Sequence, residues 1–389
     1  MVVKSRNKKP ALWLALLSTC CASSYALDLG TYDNTQVSFG GYVKLDAIAS
    51  SYSDGALGAG NIGRDFYIPS LTPVGGESGN NTMDIHARQS RFNLVTNTKL
   101  DDHTLKTYIE MDFMATPNGD ERISNSYSPR LRHAFLTYDN WLFGQTWTTF
   151  QNTSALPETA DFIGNTDFGI FVRQAQIRYT AGNWQFAIEN PETTVTPFGG
   201  GGRIVTDDNP LPDFVARYNI STQNLQLSIA GLARQLTYND TATIDSKTTS
   251  VGLSVSGKYM LGKDDIRFGV NAGSGLGRYI GLNVSNGAVL NAAGDLEAID
   301  STAWYLAYRH LWNAKWRTNL TYSTITIDND TALTGVSAID TTASFRANLF
   351  YSPVPKLSLG GELALAQKEL ESGVDGNMTR LQFSATLAF

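Results

Sequence analysis

The chain has only two cysteines, Cys20 and Cys21, and both lie in its first 26 residues. Beyond that point no disulfide can form, so so large a chain must be closed by backbone pairing and packing. Long apolar runs are also missing after residue 26. A membrane-spanning helix needs about 20 consecutive apolar residues, which excludes a helical bundle in a bilayer. The four histidines, His86, His103, His133 and His310, are scattered, and none stands at metal-ligand spacing from another. No basic run suggests nucleic acid, and no nucleophile motif such as G-x-S-x-G stands out. Gly199 to Gly202 precede Arg203. They lack the strand–loop–helix setting and the Lys-Ser/Thr ending of a phosphate cradle, so they read as a surface loop. The acidic tips Asp207-Asp208 and Asp328-Asn329-Asp330 read as solvated loop ends rather than calcium sites. No metal, cofactor or catalytic group is expected.

What is present starts at the N-terminus. Lys4, Arg6, Lys8 and Lys9 precede an apolar stretch, Ala11 to Leu17, and small residues end in Ser24-Tyr25-Ala26. That is the layout of a secretory signal peptide, with cleavage expected after Ala26. Leu17-Ser18-Thr19-Cys20 loosely resembles a lipoprotein processing site, which Thr19 fits badly; export follows on either reading. Residues 27–389 then form one barrel domain. Mean hydropathy is −0.18, formal net charge is −6, and Gly 35, Tyr 17, Phe 18 and Trp 7 suit a turn-rich, all-β chain with aromatic girdles.

The C-terminus carries the membrane signal. Leu381, Phe383, Ala385, Leu387 and Phe389 alternate with Arg380, Gln382, Ser384 and Thr386. A period of two puts the first set in lipid and the second in water. The same rhythm recurs along the chain and predicts a transmembrane antiparallel β-barrel of about 16 strands. The first strand is expected over Gln36 to Ser50, the second near Asp84 to Thr98, and the third over Thr104 to Ala115. Short turns fall at 99–102, 139–140, 181–183, 222–224, 261–264, 311–313 and 352–355. Long polar stretches lie between them: 51–82, a loop with Pro117, Asn118 and Gly119, 148–169, and 190–212. Short turns on the periplasmic side and long loops outside are how outer-membrane barrels are built.

Faces assigned by this period place Lys44, Lys106, Arg130, Arg132, Arg178, Arg217, Arg234, Arg267, Arg317, Arg346 and Arg380 inside the barrel. Inward acids are fewer: Asp46, Glu110, Asp112, Glu189 and Glu362. Other acids, such as Asp54, Asp65, Asp295 and Glu297, fall in loops. A lumen rich in Arg and Lys concentrates small anions, and the guanidinium fork matches a carboxylate. The same residues could instead brace the wall by pairing with acids, as Lys106 could with Glu110 or Asp112.

Five segments carry a family resemblance: Gly40-Gly41-Tyr42-Val43-Lys44-Leu45-Asp46, Ala87-Arg88-Gln89-Ser90-Arg91-Phe92, Arg130-Leu131-Arg132-His133-Ala134-Phe135, Phe143-Gly144-Gln145-Thr146-Trp147-Thr148-Thr149-Phe150 and Arg173-Gln174-Ala175-Gln176-Ile177-Arg178-Tyr179. Together the chain resembles the DcaP-like trimeric outer-membrane porins, most clearly over residues 36–190. The resemblance implies a 16-stranded homotrimer, a third loop folded into the pore, and a preference for small anionic solutes such as dicarboxylates. Outer-membrane lipid and lipopolysaccharide would surround it. Here the third loop spans about Thr148 to Gly169. Its Glu158, Asp161 and Asp167 are expected to face Arg91, Arg130, Arg132 and Arg178 across a constriction. Some members carry an N-terminal coiled coil; only Leu27 to Thr35 precede the first strand, so none is expected here.

Two other functions remain open. A plugged, adhesive barrel would have a packed lumen, whereas inward Arg among Gly, Ser and Thr suggests a wet one. A barrel-embedded hydrolase would need a nucleophile, base and orienter at the outer rim.

Overall fold

Alternation of apolar and polar side chains produces the wall of this protein. Along Asp375–Ala388, Leu381, Phe383 and Leu387 are exposed outward by 59%, 49% and 52%, while Arg380, Gln382 and Ser384 are buried inside. In a computed structural model, which describes residues 26–116 and 124–389, such strands close into a 16-strand antiparallel barrel. The expected signal peptide, apart from Ala26, and the Pro117-Asn118-Gly119 loop lie outside the described residues.

The wall begins with Thr35–Tyr52, Asn80–His86 continued by Arg91–Leu100, His103–Asp112, Arg130–Tyr138, Trp141–Trp147, Arg173–Ala181, Trp184–Glu189 and Asp213–Ser221. It continues through Leu225–Asn239, Asp245–Leu261, Asp264–Ser274, Asp300–Leu311, Trp316–Asp328, Ile339–Val354, Leu357–Leu370 and Asp375–Ala388. Neighbours in sequence pair antiparallel, and the last strand pairs with the first from Tyr42↔Ala388 to Tyr52↔Met378. The terminal Phe389 completes the seam by exchanging backbone hydrogen bonds with Gly41 at 3.2 and 3.1 Å. Its ring stacks on Phe39, with centroids 5.6 Å apart.

Two features differ from the expected strands. Leu27–Tyr32, expected as a leader to the barrel, is itself a strand; it turns at Asp33-Asn34 and pairs with Thr35 to Phe39, extending the seam below the last strand. The second wall strand is broken at residues 87–90. There Ser90 Oγ accepts the Lys44 N–H at 3.0 Å, supplying the bond the ladder omits. Beside the break, Gly41 packs so tightly that a Cβ would overlap the Arg91 carbonyl and Phe92 Cα.

The short turns carry an aromatic girdle. Trp141 lies 4.6 Å from Tyr179, Trp184 4.7 Å from Tyr218, and Trp316 4.4 Å from Tyr351, centroid to centroid. Such rings sit at a membrane interface. At the long-loop end, Thr193–Thr196, Ile204–Thr206, Ala288–Leu290 and Leu296–Ala298 form a separate four-stranded sheet. The one α-helix among the described residues, Thr331–Thr334, is far too short to span a bilayer.

Gly41→Ala should destabilise the barrel by about 1–3 kcal/mol, the usual range for overpacking. Gly361→Ala, with nothing within 4 Å of its added Cβ, should be silent. Urea titration followed by heat-modifiable gel mobility measures both, and equal midpoints would remove the close approach at Gly41 as a constraint.

Candidate functional site

The third long loop leaves and re-enters the wall at one point, where Thr148 N–H bonds the Val172 carbonyl at 3.1 Å. Between these ends it travels around the inside of the barrel. Asn152 donates to the Ser256 carbonyl at 3.2 Å and the Tyr305 hydroxyl to the Ala155 carbonyl at 2.5 Å. Farther on, Arg317 grips the Glu158 carboxylate at 2.5 and 2.7 Å. Ala160 closes the circuit: its carbonyl accepts from Lys44 at 2.7 Å and Gln382 at 2.9 Å, and its N–H donates to Glu362 at 2.8 Å. The loop therefore folds into the lumen, as the resemblance implies.

The loop acids do not face the arginines expected of them. Glu158 pairs with Arg317 on the opposite wall. Asp161 accepts the Tyr67, Ile163 and Gly164 N–H groups at 3.0, 3.2 and 3.1 Å, with Arg346 and Arg380 at 4.0 and 3.9 Å. Asp167 accepts four hydroxyls, from Tyr67, Ser323, Thr342 and Ser344, at 2.5–2.8 Å. Burial and the adjacent Asp167 push the Tyr67 phenol well above its ordinary pKa, which keeps it a donor. All three acids thus anchor the loop. The reason is geometric: the loop lies along the far wall, and the docked side carries its carboxylates.

Toward the basic wall the loop presents an aromatic ring. Phe162 lies 5.7 Å from the Arg130 guanidinium and 5.5 Å from that of Arg132. Those two, with Arg91, surround a pair of acids. Arg132 bonds Glu110 at 2.7 Å and Asp112 at 2.8 Å, Arg130 bonds Asp112 at 2.9 and 3.0 Å, and Arg91 lies 3.5 Å from Glu110. Arg173 stacks on Trp147 at 4.4 Å and Phe171 at 4.9 Å. Two more of the expected lumen cations are paired, Lys44 with Asp46 at 3.1 Å and Arg346 with Glu362 at 3.0 Å. Inward acids also exceed the expected five. Asp213, beside Arg234 and Arg278, and Asp265, beside Arg267 and Arg309, are fully buried. Both sit at the first residues of strands, where alternation has barely begun.

Lys106, Arg178 and Arg217 differ from these. Among the described residues no carboxylate lies within 4.0 Å of any of them. Arg178 donates to Thr149 Oγ1 at 2.8 Å and the Trp147 carbonyl at 2.6 Å, and Arg217 donates to the Gln151 carbonyl at 2.5 Å. Nearby Glu189 is engaged by Thr149 N–H at 2.6 Å and Gln174 at 2.5 Å. The three cations line one cavity of about 280 Å³, on the short-turn side of the loop neck, with Tyr108, His133, Phe135 and Trp147 on its walls.

His133 and Phe135 are inward residues that a strict period of two misses. A β-bulge between Glu110 and Met111 shifts the register, so Arg132 and His133 both turn inward. The signal was available: outward Leu131 and Leu136 are an odd number of residues apart, which a regular strand cannot place on one face. His133 bonds Thr146 at 2.9 Å deep in the wall, away from the outer rim where a hydrolytic site was considered.

Part of the lumen is packed and apolar, against the expectation of a wholly wet interior. Phe150, Phe168 and Ile170 of the third loop join Leu276, Tyr279 and Ile280 and the wall residues Tyr305 and Ile325. A second cluster joins Phe66, Met114, Phe162, Ile163, Phe171 and Leu282, from four different long loops.

Comparison with known structures places this barrel among outer-membrane channels and porins by fold. It superimposes on the outer membrane channel DcaP of Acinetobacter baumannii with a TM-score of 0.78 at 22% identity, covering 93% of this chain and 99% of that one. OmpT of Vibrio cholerae in its trimer form gives 0.56 at 13% identity, covering 92% and 100%. The anion-selective porin of Comamonas acidovorans gives 0.56 at 10% identity, covering 91% and 100%. No curated protein matches the chain. The family model described as DcaP outer membrane protein matches residues 8–389, and the chain belongs to that family.

Proposed function

We propose that this outer-membrane barrel is a passive diffusion channel for small polar solutes, with a preference for anions, small dicarboxylates among them. The observation that carries the reading is the trio Lys106, Arg178 and Arg217: three lumen cations without a carboxylate partner around one cavity. A fixed cationic surface in a narrow aqueous path raises the local concentration of anions and lowers their barrier. Arg178 and Arg217 spend N–H groups on carbonyl, amide and hydroxyl oxygens, which fixes their position while leaving the charge unneutralised. Arg91, Arg130, Arg132 and Arg346, by contrast, act first as braces of the wall. A homotrimer within lipid and lipopolysaccharide is the assembly we infer, by analogy with the trimeric porin fold above.

A second reading, a plugged barrel whose loops do the work, is favoured by the apolar cluster over the lumen. Conductance separates the two. In planar bilayers the folded protein should open in steps, reverse at a potential favouring anions under a salt gradient, and show block by a small dicarboxylate. Folded protein that never conducts would overturn the channel and leave the plugged barrel.

The two classes of cation should behave differently on substitution. Replacing Lys106, Arg178 and Arg217 together by Gln should abolish anion preference; loss of the bonds to the Trp147 and Gln151 carbonyls should lower the urea midpoint, and heat-modifiable mobility verifies that the variant is folded. Arg132→Ala takes one cation from two buried carboxylates while Arg130 stays on Asp112 and Arg91 beside Glu110, and should cost about 1.5–3 kcal/mol of stability. Unchanged selectivity in the triple variant would reject the cavity as the selective element.

A further inference from the structure

The apolar cluster built by four long loops crosses the barrel. Phe66 follows the first wall strand, Met114 the third, and Phe162 and Phe171 the fifth, whereas Leu282 follows the eleventh. The third and eleventh strands stand opposite one another in a ring of 16, so packing between these loops spans the lumen. Phe66 meets Phe162 edge-on at 5.2 Å, and Phe162 meets Phe171 at 5.5 Å, centroid to centroid. Phe66 and Met114 are buried, but Phe162, Phe171 and Leu282 keep part of their surface exposed.

The cluster adjoins the cationic cavity on its long-loop side. Trp147, which lines the cavity, meets the Phe171 ring edge-on at 4.9 Å. Both phenylalanine rings have cations against them: Arg173 lies 4.9 Å from Phe171, and Arg130 and Arg132 lie 5.7 and 5.5 Å from Phe162. Across the lumen the backbone is strained. Gly281, Leu282 and Asn283 have φ of 62°, 56° and 61°, the left-handed region that a side chain as bulky as leucine rarely adopts. Two bonds hold this turn: Gly281 N–H donates to the Gly169 carbonyl at 3.0 Å, and the Thr194 hydroxyl donates to Asn283 Oδ1 at 3.0 Å.

We propose that Phe162, Phe171 and Leu282 form a hydrophobic gate on the long-loop side of the cationic cavity, with the turn at 281–283 as its moving part. The inference rests on the channel reading. An apolar gap sheds water, and an ion crosses it only once it is wetted or widened. The first and third long loops are tied together by Tyr67, whose N–H and hydroxyl bond Asp161 and Asp167. Leu282 instead hangs on a strained turn, so release of that turn relieves strain and withdraws one side of the gate. The cations against the two rings favour an anion as the ion that enters. A sealed plug would bury these side chains, and they stay partly exposed.

The test is single-channel recording on the folded full chain. Leu282→Asn keeps the size of the side chain and tolerates the left-handed backbone, but replaces apolar surface by an amide. Its mean current should exceed that of the unsubstituted protein by about fivefold. The largest polyethylene glycol that enters the pore should stay the same, whereas Phe162→Ser should raise both current and size limit. Val205→Ser, at an exposed position of the four-stranded sheet, should change neither. Heat-modifiable mobility verifies that each variant is folded. Equal currents from Leu282→Asn and the unsubstituted protein would overturn the gate and leave the channel standing. No current from either would sink the channel reading, and the gate with it.

Discussion

Every backbone N–H and C=O that crosses the hydrocarbon must find a partner within the chain, and the rest of this structure follows from that requirement. The strands meet it by closing on themselves, from Tyr42↔Ala388 to Tyr52↔Met378. Closure leaves no free edge, so the chain holds without disulfides. It also leaves a fixed inner surface that must be filled, paired or wetted, and the arrangement of charges there is the response. Where the ladder is interrupted at residues 87–90, Ser90 supplies a substitute bond, and Gln89 and Arg88 turn to Lys44 and Asp65.

The third loop divides the interior. Along the far wall its carbonyls, N–H groups and three carboxylates are matched by wall side chains, and its apolar residues pack against Tyr305 and Ile325. Near the loop's neck, Lys106, Arg178 and Arg217 line an open cavity. Two kinds of cation result. Buried groups such as Arg91, Arg130 and Arg132 around Glu110 and Asp112 neutralise one another in a shared network. Cations tied only to neutral oxygens, such as Arg178 and Arg217, keep a charge that no described carboxylate within 4.0 Å neutralises.

Much of the fold was legible in the sequence. The alternation in residues 380–389 located the lipid face, and the first, third and last strands run close to where it placed them. The faces of Lys44, Glu110, Asp112, Arg132 and Arg380 also follow it. It failed where alternation is interrupted. The bulge opposite Glu110 brings His133 and Phe135 inside, and Asp213 and Asp265 begin strands too late for a pattern to reveal their side.

The sequence by itself determined the barrel, its two faces and its inventory of inward cations, because side-chain direction in a strand has a period of two that depends only on the backbone. Tertiary structure alone decided which cations are neutralised. Arg346 and Glu362 meet across adjacent strands, but Glu158 meets Arg317 at a separation of 159 residues, and Asp167 gathers four hydroxyls from three places in the chain. The course of a loop inside a barrel is the sum of many such long-range contacts. No local pattern encodes that sum, so the charge left unpaired in the lumen appears only when the chain is closed.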